Sequence, residues 1–378
     1  MAIGLYIHIP FCIKKCSYCD FVSFPMNPGA AGPYIKALLG EISLYARDLQ
    51  ESEKKISSIF IGGGTPTCLP AADLAAVLKN VESAFCILPG CEITVEANPG
   101  TVNPLYLKEL KAAGVNRLSL GIQSLNEQIL KSLGRIHSAR EAVEAVKWSR
   151  EAGLQNINLD LICGIPGQSS EDWLDTIKRA VELAPEHIAV YGLQLEKNTP
   201  LERAVARGEV ESCPEEMELF MYRTAVEFLI SHGYDHYEIS NFARPGMRCA
   251  HNLGYWLNLP YLGLGVGAHS FFKNRRFSNE RSVEGYLEKV LREEYPVEGA
   301  ETISKEMEMS ETMFLGLRLV EGVNLKLFEE RFGRRAEDVY HNEITRLLEA
   351  GLVESGGGRL RLTGKGLPVA NQVFREFV

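Results

Sequence analysis

Residues 5–21 read LYIHIPFCIKKCSYCDF, an apolar, strand-like run followed at once by three cysteines. Cys12, Cys16 and Cys19 are spaced C-x3-C-x2-C. Thiolates bind soft metals, and cysteines this close in one loop can converge on a single centre. Structural zinc is the simplest occupant, but it closes four ligands, usually as C-x2-C pairs with a second pair elsewhere. Here one loop holds three, no fourth thiol is adjacent, and His8 sits on the preceding strand, where it faces the sheet. A cubane iron–sulfur cluster held by three thiolates instead leaves one iron open to a small molecule, as a catalytic metal site keeps one position open.

Outward from this stretch, apolar β-branched runs alternate with amphipathic ones. Strands are predicted at 4–9, 57–61, 92–96, 117–120, 156–162 and 187–193, and helices at 34–49, 71–85, 104–113, 139–152 and 170–183. Alternation of this kind implies an α/β fold with a parallel sheet and right-handed crossovers. Six units over about 190 residues fit a partial (β/α)6 barrel better than a full eight-unit one, with a doubly wound open sheet as the alternative. Beyond residue 199 the alternation weakens. A helix is expected at 214–231, a strand at 234–242, and a Gly-, Asn- and aromatic-rich segment at 244–276. Helices at 305–319, 325–332 and 339–350 precede GLVESGGGRLRLT, which reads as two short strands around a Gly turn. The expected organisation is a partial barrel (1–200), an α+β extension (201–300) and a winged-helix-like module (301–378).

The chain has 378 residues, 46% of them hydrophobic, enough for a sizeable core. Its net charge of -9 argues against non-specific nucleic-acid binding, and no DNA partner is expected for the C-terminal module. No run of about 18 apolar residues is present, so no membrane span is expected. The opening MAIGLYIHIPFC lacks a basic n-region, so a cytoplasmic chain with reduced thiols is expected. Nine cysteines, an odd and uneven set, agree with that.

IFIGGGTPT places Gly62, Gly63, Gly64 and Thr65 just after a predicted strand, where glycines let backbone approach a ligand. No Gly-Lys-Ser/Thr follows, so it is not a phosphate loop of the Walker type. Glu96, Gln123, Arg135 and Asp160 fall at or near strand ends, which on a parallel barrel face one mouth. Taken singly, each also reads as a solvated or salt-bridged residue.

C-x3-C-x2-C after a first strand, with Tyr18 just before the third cysteine, resembles the radical S-adenosylmethionine (SAM) superfamily. The resemblance implies a [4Fe-4S] cluster on Cys12, Cys16 and Cys19, with SAM chelating the open iron through its amino and carboxylate groups. One electron from the cluster then cleaves the sulfonium, chemistry that belongs to the cofactor. The glycine run resembles the stretch that holds the SAM amino group. Within the superfamily the chain is similar to the oxygen-independent coproporphyrinogen III oxidases. That likeness implies SAM contacts from Tyr6, Glu96, Gln123, Arg135 and Asp160, with Arg135 on the carboxylate.

Three departures point to the heme chaperone branch of that family. Phe21 stands where the oxidases have a fourth cysteine, and the chain begins only eleven residues before Cys12. HNLGYW (His251, Asn252, Tyr255, Trp256) followed by YLGLGVGAHS is the third. This branch implies heme as ligand and apo respiratory heme proteins at a membrane surface as recipients, with peripheral inner-membrane contact and room for a homodimer. Imidazole is a good axial ligand and aromatics pack on a macrocycle, so His251 is the expected heme contact, with Arg248 near a propionate. Cys249, Cys213 and His269 are the alternative ligands, and Met307 and Met309 read as helix packing. An oxidase, or a radical SAM methyltransferase, is the competing enzyme reading.

Overall fold

The computed structural model describes residues 2–27 and 29–378. β1 (Ile3–Ile9) leads into the cysteine loop, within which β2 (Phe11–Cys12) and β3 (Phe24–Pro25) pair briefly in parallel. β4 (Lys55–Gly63), β5 (Cys86–Ala97), β6 (Arg117–Gln123), β7 (Asn156–Cys163) and β8 (His187–Gly192) follow, separated by helices. β1 and β4–β8 pair in parallel, in sequence order.

The helices between them are specified locally. Ser138 and Ser169 each form a capping box, with Glu141 and Asp172 respectively. Asn103 and Asn126 cap two further helices.

A buried parallel strand is normally apolar throughout. β6 (RLSLGIQ) and β7 (NINLDLIC) instead alternate, and that alternation positions the site. Leu118, Leu120, Ile122, Ile157, Leu159 and Leu161 are fully buried in the main apolar cluster with Ala142, Trp173 and Ile177 of the helices. Each of these Leu and Ile side chains contributes about 1.5–3 kcal/mol on burial. The alternate residues, Arg117, Ser119, Asn158 and Asp160, share the opposite face, because successive strand side chains point to opposite sides. The parallel strands therefore have an apolar outer face under the helices and a polar inner face.

Two features differ from the sequence expectation. The segment 234–242 is a hairpin, β9 (Asp235–Glu238) and β10 (Asn241–Ala243), that adds antiparallel strands beside β8. β11 (Tyr261–Leu264) is a further parallel strand on the other side of β1, in a stretch whose glycines hid it from a reading based on β-branched runs. β12 (His269–Phe272), β13 (Arg275–Asn279) and β14 (Val297–Thr302) continue the same sheet to twelve strands. The sheet thus does not divide at residue 200: Met221, Leu229, Phe242, Leu262 and Tyr286 join the main core. A second apolar cluster, including Met313, Phe328, Leu347 and Leu360, lies within 309–377, around β15 (Val323–Asn324), β16 (Val353–Gly356) and β17 (Arg359–Leu362).

Candidate functional site

The cysteine loop leaves the C-terminal end of β1 and is tied down on both flanks. Met26 N donates to Cys12 O (2.8 Å), and Ser17 N donates to Leu133 O (3.2 Å). Cys12, Cys16 and Cys19 are all free thiols that line one cavity of about 360 Å3. Thr65 Oγ1 donates to Cys12 Sγ at 3.6 Å, and Arg135 Nη1 to Cys16 Sγ at 3.4 Å. Among the described residues, no three His, Cys, Asp or Glu side chains are drawn close enough together to hold a single metal ion. Three thiols on one cavity suit an iron–sulfur cluster, in which separate irons each take one thiolate. His8 is no ligand: Nε2 donates to Val22 O (2.7 Å), so Nδ1 accepts from Tyr6 Oη (2.9 Å). Phe21 is 63% exposed at the cavity mouth, where Lys14 and Lys15 also lie.

The glycine run is dictated by how closely β4 approaches this loop. Gly63 has φ +113, and a Cβ there would lie 2.5 Å from the His8 ring; one on Gly64 would lie 2.6 Å from Phe11 O. Gly64 N donates to Ile9 O (2.8 Å) and Thr65 N to Phe11 O (2.7 Å), which seats the cysteine loop on the end of β4. Gly63 N donates to Glu96 Oε2 at 3.1 Å.

Glu96, Gln123, Arg135 and Asp160 come together on the same cavity. Burial, then the Asp160 charge, pushes the Glu96 carboxyl up to about 8. Asp160 accepts from Ser119 Oγ (3.0 Å) and Asn158 Nδ2 (2.9 Å), yet burial still raises its carboxyl. Gln123 takes φ +68, a left-handed backbone for a non-glycine residue at the end of its strand. Arg135 Nη2 donates to Gly121 O (2.5 Å), while its buried Nε has no partner. An orphaned guanidinium donor suits a carboxylate. Two carboxyl groups suit an amine and ribose hydroxyls, and about 360 Å3 lies within the usual range for small-ligand sites. The residues present therefore fit both a cluster and SAM.

Sequence reasoning missed the residues behind these. Ser119, Asn158 and Arg117 were legible only as polar alternation within otherwise apolar strands, a signal that was available in β6 and β7. Cys68, in the turn after the glycine run, is brought near Cys12; burial pushes its thiol up to about 11, and it does not line the cavity.

Glu96, Ser119, Asp160 and Tyr191 also border a deeper compartment of about 190 Å3, which Tyr6 and His251 reach. His251 lies in the helix Ala250–Trp256, is 3% exposed, and has both ring nitrogens engaged, Nδ1 with Ser58 Oγ and Nε2 with Tyr255 Oη, each at 2.9 Å. Burial, then the Arg117 charge, lowers it to about 3, so the ring is neutral. Both ring nitrogens thus have protein partners, and the compartment that His251 reaches is smaller than a drug-sized pocket. Arg248 points elsewhere, 3.7 Å from Glu321 and over the Tyr237 ring. Cys249 is fully buried, with its thiol donating to Glu92 Oε1 (3.4 Å); the Cys213 thiol turns to Pro214 O. His269 lies on β12, on the exposed part of the sheet. Met309 is core and Met307 is 40% exposed.

Comparison with known proteins adds to this geometry. Residues 6–180 match the Radical SAM superfamily and residues 303–369 the HemN C-terminal domain. The chain is 35% identical to the heme chaperone HemW of Bacillus subtilis over 99% of this chain and 98% of the relative. It is 36% identical to that of Lactococcus lactis, over 99% and 96%. The solved coproporphyrinogen III oxidase (HemN) of Escherichia coli, a radical SAM enzyme, superposes with a TM-score of 0.86 over 100% of this chain and 90% of that one, at 24% identity. That likeness bears on the fold alone. Coverage of nearly the whole length at this identity, on a fold whose cavity fits the cluster and SAM, places the chain in the HemW heme chaperone family of radical SAM proteins.

Proposed function

We propose that this chain binds heme and hands it to apo respiratory heme proteins, while keeping a [4Fe-4S] cluster and SAM as resident cofactors. The observation that carries the reading is the end-to-end similarity to proteins named as heme chaperones, 35–36% over 99% of the chain. Phe21 at the mouth supports it, since it stands where the oxidases that the chain resembles have a fourth cysteine.

In this reading Cys12, Cys16 and Cys19 hold the cluster. Arg135 faces the SAM carboxylate, and Glu96 and Asp160 accept from its amine and ribose hydroxyls, with Gln123 beside them. When bound, the cluster supplies an electron and an open coordination position. The protein's share is to hold three thiolates and to present one cation and two carboxyl groups from the polar inner face of the barrel. Heme, too large for the inner compartment, binds outside it. No helix among the described residues is long and apolar enough to cross a membrane, so delivery at a membrane surface would be peripheral.

The intact carboxyl and arginine set keeps one second reading in view, decarboxylation of coproporphyrinogen III. One experiment separates the two. Anaerobically reconstituted protein is incubated with heme and, separately, with coproporphyrinogen III, SAM and reductant. A stable Soret band with no protoporphyrinogen IX is expected. Turnover of coproporphyrinogen III without heme binding would overturn the chaperone reading.

A further inference from the structure

The backbone at Gln123 is a strained point of the cavity wall. β6 ends there with φ +68, and Ser124 N donates back to Ile122 O at 2.9 Å. A hydrogen bond spanning one residue of positive φ makes a γ-turn of the rare, strained kind. The pairing of β6 with β7 shifts register at the same place, between Gly121 and Gln123. A non-glycine residue keeps such a backbone only where its surroundings over-determine it, and points of this kind gather at functional sites.

Two side chains from the segment between the helices Glu127–Ser132 and Ala139–Glu151 grip this turn. Arg135 Nη2 donates to Gly121 O (2.5 Å), and His137 Nε2 donates to Ile122 O (3.2 Å). Arg135 lines the cavity; His137 does not, and is 4% exposed behind the wall. Burial, then the Arg135 charge, lowers the His137 ring to about 4, so it is neutral and has a single N–H. On Nε2 that proton makes His137 the second donor to the carbonyl that closes the turn. The ring's other nitrogen, Nδ1, lies 3.0 Å from Oδ1 of Asn98, a cavity-lining residue at the end of β5. The turn that Asn98 caps packs against His137, since a Cβ on Gly100 would lie 3.4 Å from the His137 Cβ. His137 is itself held in place by Ser138, the next residue, which caps the following helix. One buried ring therefore touches the bases of three pieces of cavity wall: Asn98, Gln123 and Arg135.

We infer that His137 is a positioning residue of the SAM site, which from behind the wall holds the turn presenting Gln123 in register with Arg135 and Asn98. The inference rests on the reading of the outer cavity as the cluster and SAM site. His137 touches neither cofactor. Its task is to keep a strained turn in the one geometry in which the wall residues converge.

The test uses the full chain after anaerobic reconstitution. Cluster content is read by absorbance, SAM affinity by titrating its change to the reduced cluster's EPR signal, and folding by the thermal midpoint. His137→Leu keeps the bulk and removes the donor; it is expected to keep the cluster and to weaken SAM binding about tenfold. His137→Gln puts an amide donor near the place of Nε2 and is expected to recover most of that loss. His137→Asn reaches only the place of Nδ1, leaves Ile122 O without its second donor, and is expected to bind SAM as weakly as His137→Leu. A folded Leu or Asn variant that binds SAM like wild type would overturn the inference, as would a Gln variant no better than the Leu variant. If the Leu and Asn variants both fail to fold, or lose the cluster along with SAM binding, His137 is a residue of the fold at large and the inference also falls. A wild-type chain that takes up the cluster yet shows no response to SAM would instead overturn the reading of the cavity, and this inference with it.

Discussion

The outer and inner compartments of the cavity are assembled in different ways. The outer one is built from one loop and the ends of the strands: three cysteines within eight residues, a glycine run, and side chains that top β5, β6 and β7. The inner one is built from side chains along the strands and a helix some ninety residues later in the chain, among them Glu96, Arg117, Asn158 and His251. Short spacing concentrates chemistry that a sequence displays openly. A wall made of every second residue in neighbouring strands exists only once register is set. The comparison therefore predicts that outer changes remove a ligand cleanly, whereas inner changes act on the fold and the cavity together.

The largest effect is expected at the outer compartment. Replacing Cys12, Cys16 or Cys19 by Ala should abolish most cluster absorbance after anaerobic reconstitution, while the apoprotein's thermal midpoint stays close to wild type. The thiols bond only weakly to protein partners, at 3.4–3.6 Å where they bond at all. Stoichiometric zinc without iron or sulfide in the wild-type chain would break the assignment.

The inner compartment should behave in the opposite way. Glu92→Ala leaves two helix amides and the buried Arg117 without their carboxylate. Removing one partner of a buried ionic group costs about 3–5 kcal/mol. A denaturant titration should show that loss; a variant as stable as wild type would mean that Glu92 does not anchor the helix.

These two regions also mark what was legible in the sequence. Parallel strands, their crossover helices and the cysteine loop followed from local signals: β-branched runs alternating with amphipathic stretches, and three closely spaced cysteines. The YLGL strand β11 did not, because its glycines read as a loop and its place beside β1 is set by long-range pairing. His251 was read as a heme ligand or heme-face residue because imidazole is a good axial ligand and aromatics pack on a macrocycle. The sequence could not show that Ser58 and Tyr255 occupy both ring nitrogens. The polar alternation of β6 and β7 was the one clue to the inner wall, and it lay in strands whose apolar half alone was enough to predict them.

A change at Arg135 tests whether the outer compartment holds SAM as its shape suggests. Arg135→Ala removes the buried guanidinium whose Nε lacks a partner. Truncating one side of a desolvated charge pair costs about 2–5 kcal/mol, so SAM affinity should fall about 30-fold or more with the cluster still in place. Unchanged affinity would take Arg135 out of the site.

A pH-dependent effect concerns Glu96, which borders both compartments. Burial holds its carboxyl at about 8 against an ordinary 4.5. A folded-state value raised above the unfolded one contributes stability that is fully present below about 4.5 and is lost as pH climbs through about 8, because the folded chain keeps a proton that the unfolded chain releases. The slope is at most about 1.4 kcal/mol per pH unit for one proton. Glu96→Gln cannot ionise, so the stability of wild type relative to this variant should fall as pH rises from 5 to 8 and level off above that. Asp160, raised for the same reason, titrates in both proteins and largely cancels in the difference. A difference that stays flat across this window would mean that Glu96 is ionised in the folded apoprotein. The inner compartment would then hold enough water to solvate a carboxylate, and the polar wall would be a wet channel continuous with the outer cavity instead of a closed floor.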